Sequence, residues 1–540
     1  MQKNMTLSLT CENLGTDLEG VCRSEGMAVF VPGMLPGETG EVRIVKVQPR
    51  FAFGKLERLT ASPSPQRRES DCPAYPRCGG CTGRHMDYAL TLEAKRRQVK
   101  DCFRRIGHME VDVPPVLGMA DPCHYRNKTA LPVGGTADNP VIGFYAPRSH
   151  SIIPAADCPN AMPPSAALCH ALTDWMRLHR VEPYHEETHT GLIRHLVIRV
   201  NRQGQALACV VVNGESLPQE QRLAETLMAA GAIGVALNVN TARTNVIFGR
   251  QFRRLAGASA LRDSLCGLNF DLSPAAFYQV NPVQAEALYH TAIRFAGLKP
   301  NDLICDVYCG AGTITLAMAR HCREAVGIEI VPEAVRNARA NAALNGITNA
   351  VFHKGAAEDV LPRLVANGLR PDVIVVDPPR KGLEPAVLYS MNLAAPRRIV
   401  YVSCGIATLA RDAALLGELG WRVDQIQPVD LFGWTGDVET VCLLSKIRSA
   451  PHIDIDLDMT ELDVTKAETK ATYEEIKAYV LEHTGLKVSY LYIAQMKAKH
   501  GIIERDCYNK AKTEGSRVPK CPPEKEKAIE EALRHFQMIP

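Results

Sequence analysis

Four short apolar runs, each separated from the next by a helical pattern, most constrain how this chain can fold. They span residues 303–305, 325–328, 373–376 and 399–402, within a region from 281 to 447 whose order is helix, strand, helix, strand. Alternation of this kind needs crossovers between parallel strands, so it predicts an α/β domain with a parallel-rich sheet and helices on both faces. In such sheets, ligands bind at the carboxyl ends of the strands.

The remaining sequence predicts four further parts. Residues 1–60 alternate short apolar runs with Gly and Pro turns, which is typical of a small β-barrel. Residues 61–110 hold a polar linker, a cysteine-rich loop and a basic helix. Residues 111–280 read as a central α+β domain, and residues 451–540 read as a helical appendage. A chain of 540 residues is long enough for several domains.

The basic helix between residues 88 and 107 is open to two interpretations. Its cations spread over one side, which suits a phosphate-facing surface, but a merely solvated helix face fits equally well. The net charge of +3, from 62 Lys and Arg against 59 Asp and Glu, is too small to identify a polyanionic partner by itself. The cations are Lys95, Arg96, Arg97, Lys100, Arg104 and Arg105.

A glycine-containing turn follows the first apolar run directly. Gly310 and Gly312 allow a sharp turn and a close approach of the backbone to a ligand. The next run ends at Glu329, where a carboxylate is placed to accept hydrogen bonds from the hydroxyls of a ribose. A Gly-x-Gly turn alone is weak evidence, but the following acidic residue favours a nucleoside. Because the full G-x-G-x-x-G spacing for a pyrophosphate is missing, the pattern favours S-adenosylmethionine over a dinucleotide.

Two reactive side chains follow the other two runs. Asp377 comes after residues 373–376, and Cys404 comes after residues 399–402, so both are predicted at the carboxyl edge of the sheet. A thiolate is a soft nucleophile and a good leaving group, which suits addition to an electron-poor C=C bond. Taken alone, Asp377 would fit a simple turn after a strand, and Cys404 would fit a buried structural cysteine.

The chain has 18 cysteines, which is unusual for its length. The start of the chain has no apolar signal-peptide core, so we expect a reducing cytoplasm rather than a disulfide scaffold. Cys72, Cys78 and Cys81 lie close together, and Cys158 or Cys123 supplies a fourth thiol. This spacing suits a zinc site and an iron–sulfur cluster equally well.

Together these motifs resemble the RNA uracil-C5 methyltransferase family, in the family's order and over residues 1–447. The resemblance implies a Rossmann-like methyltransferase domain, with Cys404 as nucleophile and Glu439 as general base. It implies that Gln279, Tyr308, Glu329 and Asp377 contact the cofactor or line the active site. The motifs are Phe277-x-Gln279-x-Asn281, the segment 306–312, Asp377-Pro378-Pro379-Arg380, Ser403-Cys404-Gly405 and Asp437-Val438-Glu439-Thr440.

Three positions depart from the family pattern. Thr313 stands where the family commonly has Asn, Gly433 replaces a Pro, and Asp437 replaces a His. The last two changes predict a looser loop and a second carboxylate near Glu439.

The subgroup that the chain resembles acts on 23S ribosomal RNA. Its N-terminal barrel is a TRAM domain, an RNA-binding fold, and its Cys-x5-Cys-Gly-Gly-Cys pattern carries a 4Fe-4S cluster. The resemblance therefore implies Cys72, Cys78, Cys81 and Cys158 as cluster ligands and S-adenosylmethionine as methyl donor. Two alternatives are a transfer-RNA uracil-C5 methyltransferase and a noncatalytic iron–sulfur RNA-binding protein.

The remaining expectations concern partners and location. No stretch of about 18 apolar residues occurs, so no membrane span is expected. We expect an RNA-binding, cytoplasmic monomer that forms 5-methyluridine during rRNA processing.

Overall fold

A computed structural model describes residues 1–447, 473–486, 488, 490–500, 521–536 and 538–539. The chain divides into two compact units, Met1–Arg448 and Ser449–Pro540, which are described separately. The acidic run at residues 454–458 lies outside the described residues.

The N-terminal part is a closed five-stranded barrel with strand order β1-β2-β3-β5-β4, which confirms the predicted small barrel. Alternate side chains such as Val29, Val31 and Ile44 point inward and are fully buried. The period-two pattern therefore fills the barrel interior. Its strands are β1 (Thr6–Leu14), β2 (Gly20–Ser24), β3 (Met27–Val31), β4 (Thr39–Val47) and β5 (Phe51–Leu59).

The cysteine-rich loop leads into helix α1 (Tyr88–Arg105). Val99 and Phe103 of this helix are buried in the hydrophobic core of the region that carries the parallel sheet. Lys95 is also fully buried and donates to Asp430 Oδ1 at 2.5 Å. Lys95 therefore does not belong to a phosphate-facing surface, because its charge is used inside the protein.

The central part is a mixed seven-stranded sheet of order β12-β11-β10-β9-β6-β7-β8, followed by a two-stranded hairpin. Helices α2 and α3 cover the sheet, and Leu168, Leu172 and Leu223 contribute to the core beneath them. The sheet elements are β6 (Lys128–Gly135), β7 (Pro140–Tyr145), β8 (Ile152–Pro154), α2 (Pro164–His179), β9 (Ile193–Val200), β10 (Ala206–Val212), α3 (Glu220–Ala229), β11 (Ala232–Val239) and β12 (Gln251–Gly257). The hairpin strands are β13 (Leu261–Leu265) and β14 (Leu268–Leu272).

The third part is a seven-stranded sheet of order β17-β16-β15-β18-β19-β21-β20. The first five strands are parallel, and β21 runs antiparallel to both of its neighbours, β19 and β20. One hydrophobic core lies on each face of the sheet. The predicted parallel-rich α/β fold is confirmed. Its elements are α4 (Pro282–Ala296), β15 (Leu303–Val307), α5 (Thr313–Ala319), β16 (Glu324–Glu329), α6 (Pro332–Leu344), β17 (Ala350–Lys354), α7 (Ala357–Ala366), β18 (Val373–Val376), α8 (Pro385–Ala394), β19 (Arg398–Ser403), α9 (Ile406–Glu418), β20 (Trp421–Val429) and β21 (Glu439–Lys446).

The C-terminal unit contains three described helices, α10 (Tyr473–Thr484), α11 (Tyr490–Lys499) and α12 (Pro523–His535). Ile476, Val480, Ile493, Ile529 and Leu533 are fully buried in a core of its own. The predicted helical appendage is therefore confirmed for these segments. Across the described parts of the chain, none of the helices has the length and apolar character to span a membrane.

Candidate active site

The turn between β15 and α5 lies at the centre of the parallel sheet and is shaped by left-handed residues. Tyr308, Gly310 and Gly312 have φ values of 74°, 55° and 81°. A Cβ added to Gly310 would meet no atom within 4 Å, so the backbone there faces open space. A Cβ on Gly312 would lie 3.1 Å from Ala338 Cβ. One glycine thus keeps the backbone exposed, and the other allows close packing of α5 against its neighbours.

Glu329 ends β16 beside this turn. Its Oε2 accepts from the Gly310 amide at 3.0 Å, and its Oε1 accepts from the Val331 amide at 2.7 Å. Two carboxylate oxygens offer about four acceptor positions, so lone pairs remain for a ligand. Glu329 therefore fixes the glycine turn in addition to offering an acceptor. The sequence did not indicate this second role.

One cleft of about 1370 Å³ opens at the carboxyl edge of the sheet. The structure brings the six predicted catalytic and cofactor-binding residues together, since all of them line this cleft. They are Gln279, Tyr308, Glu329, Asp377, Cys404 and Glu439.

Cys404 lies between the end of β19 and the first turn of α9. The Ser403 hydroxyl accepts from the Gly405 amide at 3.0 Å, which fixes the backbone on both sides of the thiol. The thiol is half-buried, and burial together with the carboxyl groups of Glu439 and Asp377 raises its pKa. Arg380 opposes this shift. A cation at the cleft therefore favours the thiolate, against its buried surroundings.

Glu439 begins β21, and strand pairing places it next to the thiol. Ser403 pairs with Thr440 in the antiparallel register of β19 and β21, so the residues beside them, Cys404 and Glu439, share one edge. Glu439 is 5% exposed. Burial, followed by the charges of Asp377 and Asp437, raises the pKa of Glu439 to about 8. The carboxyl group can hold or release a proton near neutral pH, as a general base requires.

Asp437 supplies the second carboxylate that the sequence predicted near Glu439. It is exposed, and Arg380 Nη2 donates to its Oδ1 at 3.4 Å. Arg380 also lowers the pKa of Glu439. Arg380 ends the Asp377-Pro378-Pro379-Arg380 motif, which by itself indicates no role for it. In the structure, Arg380 is a cation that faces the Cys404 thiol and the carboxyl groups of Glu439 and Asp437.

Asp377 and Asp306 are a second pair of perturbed acids at the same edge of the sheet. Burial raises the pKa of each to about 7, and the charge of Asp306 adds to the shift of Asp377. Asp306 Oδ2 accepts from the Thr315 hydroxyl at 2.5 Å. Asp377 follows β18 and lines the cleft, and both aspartates line a small pocket that adjoins the cleft at Gln279, Tyr308 and Gly310.

Gln279 is held by the central sheet through its backbone. Asn127 Nδ2 donates to the Gln279 carbonyl at 3.0 Å, and the buried Arg199 donates to the carbonyl of Ala276. Phe277, between them, is 72% exposed and lines the cleft. Asn127, which directly precedes β6, therefore supports this loop from the central sheet.

A basic rim from the central sheet extends the same cleft. Arg250, Phe252, Arg253 and Arg254 line it, although Arg253 is paired with Glu220. Sequence reasoning missed this rim. The available signal was the interleaving of arginines with an aromatic residue between positions 250 and 254.

The predicted metal ligands also come together, at a separate place. Burial raises the pKa of Cys78, with contributions from the thiols of Cys158 and Cys72. Burial also raises the pKa of Cys81 to about 11, with a contribution from Cys158. The Gly80 amide donates to Cys78 Sγ at 3.4 Å, and Asn160 Nδ2 donates to Cys81 Sγ at 3.2 Å. All four cysteines are free.

This arrangement fits a thiolate-bound group in its donor set, since soft sulfur ligands lie together with N–H donors aimed at two of them. It is not a formed metal site. Within residues 1–447 and the described C-terminal segments, no group of three or more His, Cys, Asp or Glu side chains has the geometry to hold a metal ion.

The fold and this cleft define the class of the protein as an α/β methyltransferase. A family model described as "tRNA (Uracil-5-)-methyltransferase" matches residues 220–447, and a TRAM domain model matches residues 3–56. A Clostridium tetani protein named as an uncharacterized RNA methyltransferase is 40% identical over 448 residues, 82% of this chain and 97% of the relative. A namesake from Clostridium acetobutylicum is 39% identical over 83% of this chain and 98% of its own length.

The chain therefore belongs to the tRNA (uracil-5-)-methyltransferase family, with a TRAM domain, and is an RNA methyltransferase. The crystal structure of Pyrococcus abyssi tRNA (uracil-54, C5)-methyltransferase in complex with S-adenosyl-L-homocysteine has the same fold. It matches with a TM-score of 0.65 and 24% identity, over 81% of this chain and 100% of that one.

Proposed function

We propose that this protein methylates C5 of a specific uridine in RNA, with S-adenosylmethionine as methyl donor and a covalent adduct through Cys404. The observation that carries this proposal is the adjacency of a thiol and a buried carboxyl group with a pKa of about 8 in one cleft. A cofactor-type glycine turn lines the same cleft. Two relatives named as RNA methyltransferases are consistent with the substrate class.

The cofactor side of the cleft is formed by the β15–α5 turn. We assign contacts with S-adenosylmethionine to Gln279, Tyr308, Glu329 and Asp377, because these residues line the cleft around the open Gly310 backbone. The remaining lone pairs of Glu329 suit the ribose hydroxyls. When bound, S-adenosylmethionine supplies a methyl group on a positively charged sulfur.

Uracil C5 is too weak a nucleophile to accept that methyl group unaided. The Cys404 thiolate adds to C6, so a C–S bond forms and the C5=C6 electrons move toward C5 and the C4 carbonyl. C5 then takes the methyl group, and S-adenosylhomocysteine leaves. Glu439 removes the C5 proton, and the returning electron pair restores the C5=C6 bond and expels the thiolate.

A uracil inside folded RNA cannot reach Cys404 while it is stacked. It must be flipped into the cleft and recognised through its polar edge. Gln279 and Asp377 are the candidates for that recognition, since both line the cleft beside the thiol.

We further propose 23S ribosomal RNA as the substrate and Cys72, Cys78, Cys81 and Cys158 as the ligands of a 4Fe-4S cluster. The second assignment is supported by the two N–H donors directed at Cys78 and Cys81, and by the contribution of Cys158 to the pKa of both. Burial raises the pKa of the alternative ligand, Cys123, and the charges of Arg84, Asp121 and Asp71 also act on it.

The same proposal covers the remaining organisation: a TRAM-like barrel over residues 1–60, a cluster loop and helix over 61–110, a central domain over 111–280 and a catalytic domain over 281–447. The appendage at 451–540 has no assigned role. We expect a cytoplasmic monomer.

Methyl transfer from labelled S-adenosylmethionine tests the proposal directly. Purified protein should label 23S RNA from cells that lack this gene, and mapping should place the label in 5-methyluridine. Label in transfer RNA alone would favour the alternative substrate. Absence of any label, with RNA still bound, would favour a noncatalytic iron–sulfur RNA-binding protein.

The cluster is tested by analysis of anaerobically purified protein. We expect a brown protein with about four irons per chain, lost in Cys78→Ser. Stoichiometric zinc without labile sulfide would refute the cluster and leave the methyltransferase proposal intact.

A further inference from the structure

The loop that carries Glu439 is attached to the cysteine-rich loop. Immediately after Cys81, the backbone amides of Thr82 and Gly83 both donate to the carbonyl oxygen of Trp434, each at 2.9 Å. Trp434 lies five positions before Glu439 in the chain. A shared acceptor with two amide donors ties these segments together at one point.

Arg84 strengthens this attachment from the next position. Its side chain is 1% exposed, its guanidinium carbon lies 5.4 Å from the centroid of the Trp434 ring, and Nη1 is paired with Asp71. Nη2 donates to Asn160 Oδ1, and Asn160 in turn donates to Cys81 Sγ at 3.2 Å. The buried Arg84 cation therefore contacts Trp434 directly and is linked to Cys81 through the side-chain amide of Asn160.

One polar atom of this arrangement has no partner. Arg84 Nε is buried and makes no hydrogen bond among the described residues. An unpaired N–H on a buried guanidinium is costly, and an anionic group in the adjoining thiol site would compensate for it.

The other side of the loop is fixed by the barrel and the central region. A Cβ on Gly436 would lie 1.8 Å from the Thr16 carbonyl oxygen, so the loop packs directly on the turn after β1. Trp434 Nε1 donates to the Pro122 carbonyl at 3.1 Å. The contacts with Thr16 and Pro122 do not involve the four cysteines. Of the segments that support the loop before Glu439, residues 82–84 are therefore the ones whose structure can depend on a group bound by the cysteines.

We propose that Arg84 and Trp434 are positioning residues that make the placement of Glu439 depend on the four-cysteine site. This inference rests on the proposed function only for the role of Glu439. When the four cysteines hold an anionic group, Arg84 stays near Cys81 and stacked on Trp434, and the loop over residues 430–439 (the base loop) is ordered. When the site is empty or its thiols are removed, the residue 82–84 segment loosens and the loop opens.

Hydrogen–deuterium exchange of peptides covering residues 430–439 tests this coupling without any enzymatic readout. We expect Arg84→Gln, and wild-type protein treated with an iron chelator under reducing conditions, to exchange about tenfold faster there, equivalent to about 1.4 kcal/mol of local opening free energy. Arg68→Gln is the matched control, because Arg68 is exposed and paired with Asp87 in the same region. It should leave the exchange unchanged.

Unchanged exchange of the 430–439 peptides in Arg84→Gln would overturn the proposal. If Arg84→Gln does not fold, two other variants replace it: Arg84→Lys, which keeps the charge but loses the planar stacking, and Trp434→Leu. Exchange of the 430–439 peptides that is equal to or slower than wild type in both variants would also overturn the proposal. Faster exchange throughout the whole chain, rather than in this segment, would also count against it.

A second readout links the loop to the reaction. In Arg84→Gln, removal of the C5 proton should slow more than formation of the Cys404 adduct, so the RNA–protein species should persist. If Cys404→Ala still methylates RNA while the exchange result holds, then the proposed function fails and the coupling stands. If the adduct forms normally but exchange does not change, then the coupling alone fails.

Discussion

Cys404 and Glu439 act on the same covalent intermediate at different steps, so their variants should fail differently. Cys404→Ala should neither methylate RNA nor form an RNA–protein species that survives denaturation. Glu439→Gln keeps the thiol but cannot remove the C5 proton, so turnover should fall about 10²–10⁴-fold and methylated RNA should stay attached to Cys404. A denaturing gel with labelled RNA measures both outcomes.

Asp437 sets the main risk in that experiment. The Asp437 carboxylate lies near Glu439. If it accepts the C5 proton in place of Glu439, the RNA–protein species will accumulate only when Asp437→Asn is combined with Glu439→Gln. Methylation by Cys404→Ala would refute the mechanism. Failure to trap the RNA–protein species in Glu439→Gln, both alone and combined with Asp437→Asn, with normal folding and cofactor binding, would refute the role of Glu439.

The pH dependence of methyl transfer follows from the same two residues. The pKa of Cys404 is raised and that of Glu439 is raised to about 8, and both groups must lose a proton to act. kcat/KM should therefore rise with pH through about 8. Asp437→Asn removes a charge that raises the pKa of Glu439, so the profile should move to lower pH by about 0.5 to 1 unit.

Matched profiles of wild type, Asp437→Asn and Glu329→Gln would test this assignment. Glu329 contributes to neither shift, so its variant should weaken cofactor binding without moving the profile. A profile that does not respond to Asp437→Asn would show that Glu439 does not limit the rate.

At the scale of elements, the β15–α5 turn offers a pair of glycines that differ in one respect. Both have positive φ, so Ala at either position costs about 1–2 kcal/mol of backbone strain. Only Gly312 would also crowd Ala338 and the Phe352 ring, at 3.1 and 3.2 Å, whereas Gly310 has open space. We expect Gly312→Ala to destabilise the fold more, and Gly310→Ala to weaken cofactor binding more than its stability loss explains.

Urea unfolding and calorimetric titration with S-adenosylhomocysteine separate these effects. Equal loss of affinity in both variants, in proportion to their stability, would mean that Gly310 does not face the bound cofactor.

The elements were predictable where the pattern is local. The period-two alternation of residues 1–60 and the apolar runs before Asp377 and Cys404 depend on neighbours in sequence, so they identified the barrel and the sheet edge correctly. Lys95 shows why local reasoning fails elsewhere. It was counted with its basic neighbours on a surface, but its partner Asp430 is 335 positions away. Charged side chains are rarely buried without a partner, so a lysine is predicted to be exposed when its ion-pair partner is far away in the sequence.

The same limit applies to the site. The positions of Glu329 and Glu439 followed from motif order, but the hydrogen bond from the Gly310 amide and the pairing of β19 with β21 required the fold. Arg199 supports the Gln279 loop from another sheet, and no local pattern indicates it.

For the whole molecule, one cleft draws on several parts of the chain. The basic rim comes from β12 and the residue before it, and the Gln279 loop follows the β13–β14 hairpin. Cys404 directly follows β19, and Glu439 begins the adjacent strand β21. The barrel packs on the base loop through Thr16. Because these parts share one compact unit, damage to the barrel should impair both RNA binding and the placement of Glu439.

The C-terminal unit can be removed as a test of this division. Its described helices have a separate buried core, and the chain separates between Arg448 and Ser449. Truncation after Arg448 should therefore leave the folding of the first unit intact and methyl transfer to naked RNA within about twofold of wild type, since all the residues that line the cleft belong to the first unit. Labelled methyl transfer and thermal unfolding of the full and truncated proteins measure this. A large loss of activity in a truncated protein that unfolds at the same temperature would instead assign substrate recognition to the helical unit. Residues 449–540 added as a separate chain should then restore only part of the activity, because the covalent link that keeps this unit at a high effective concentration is gone.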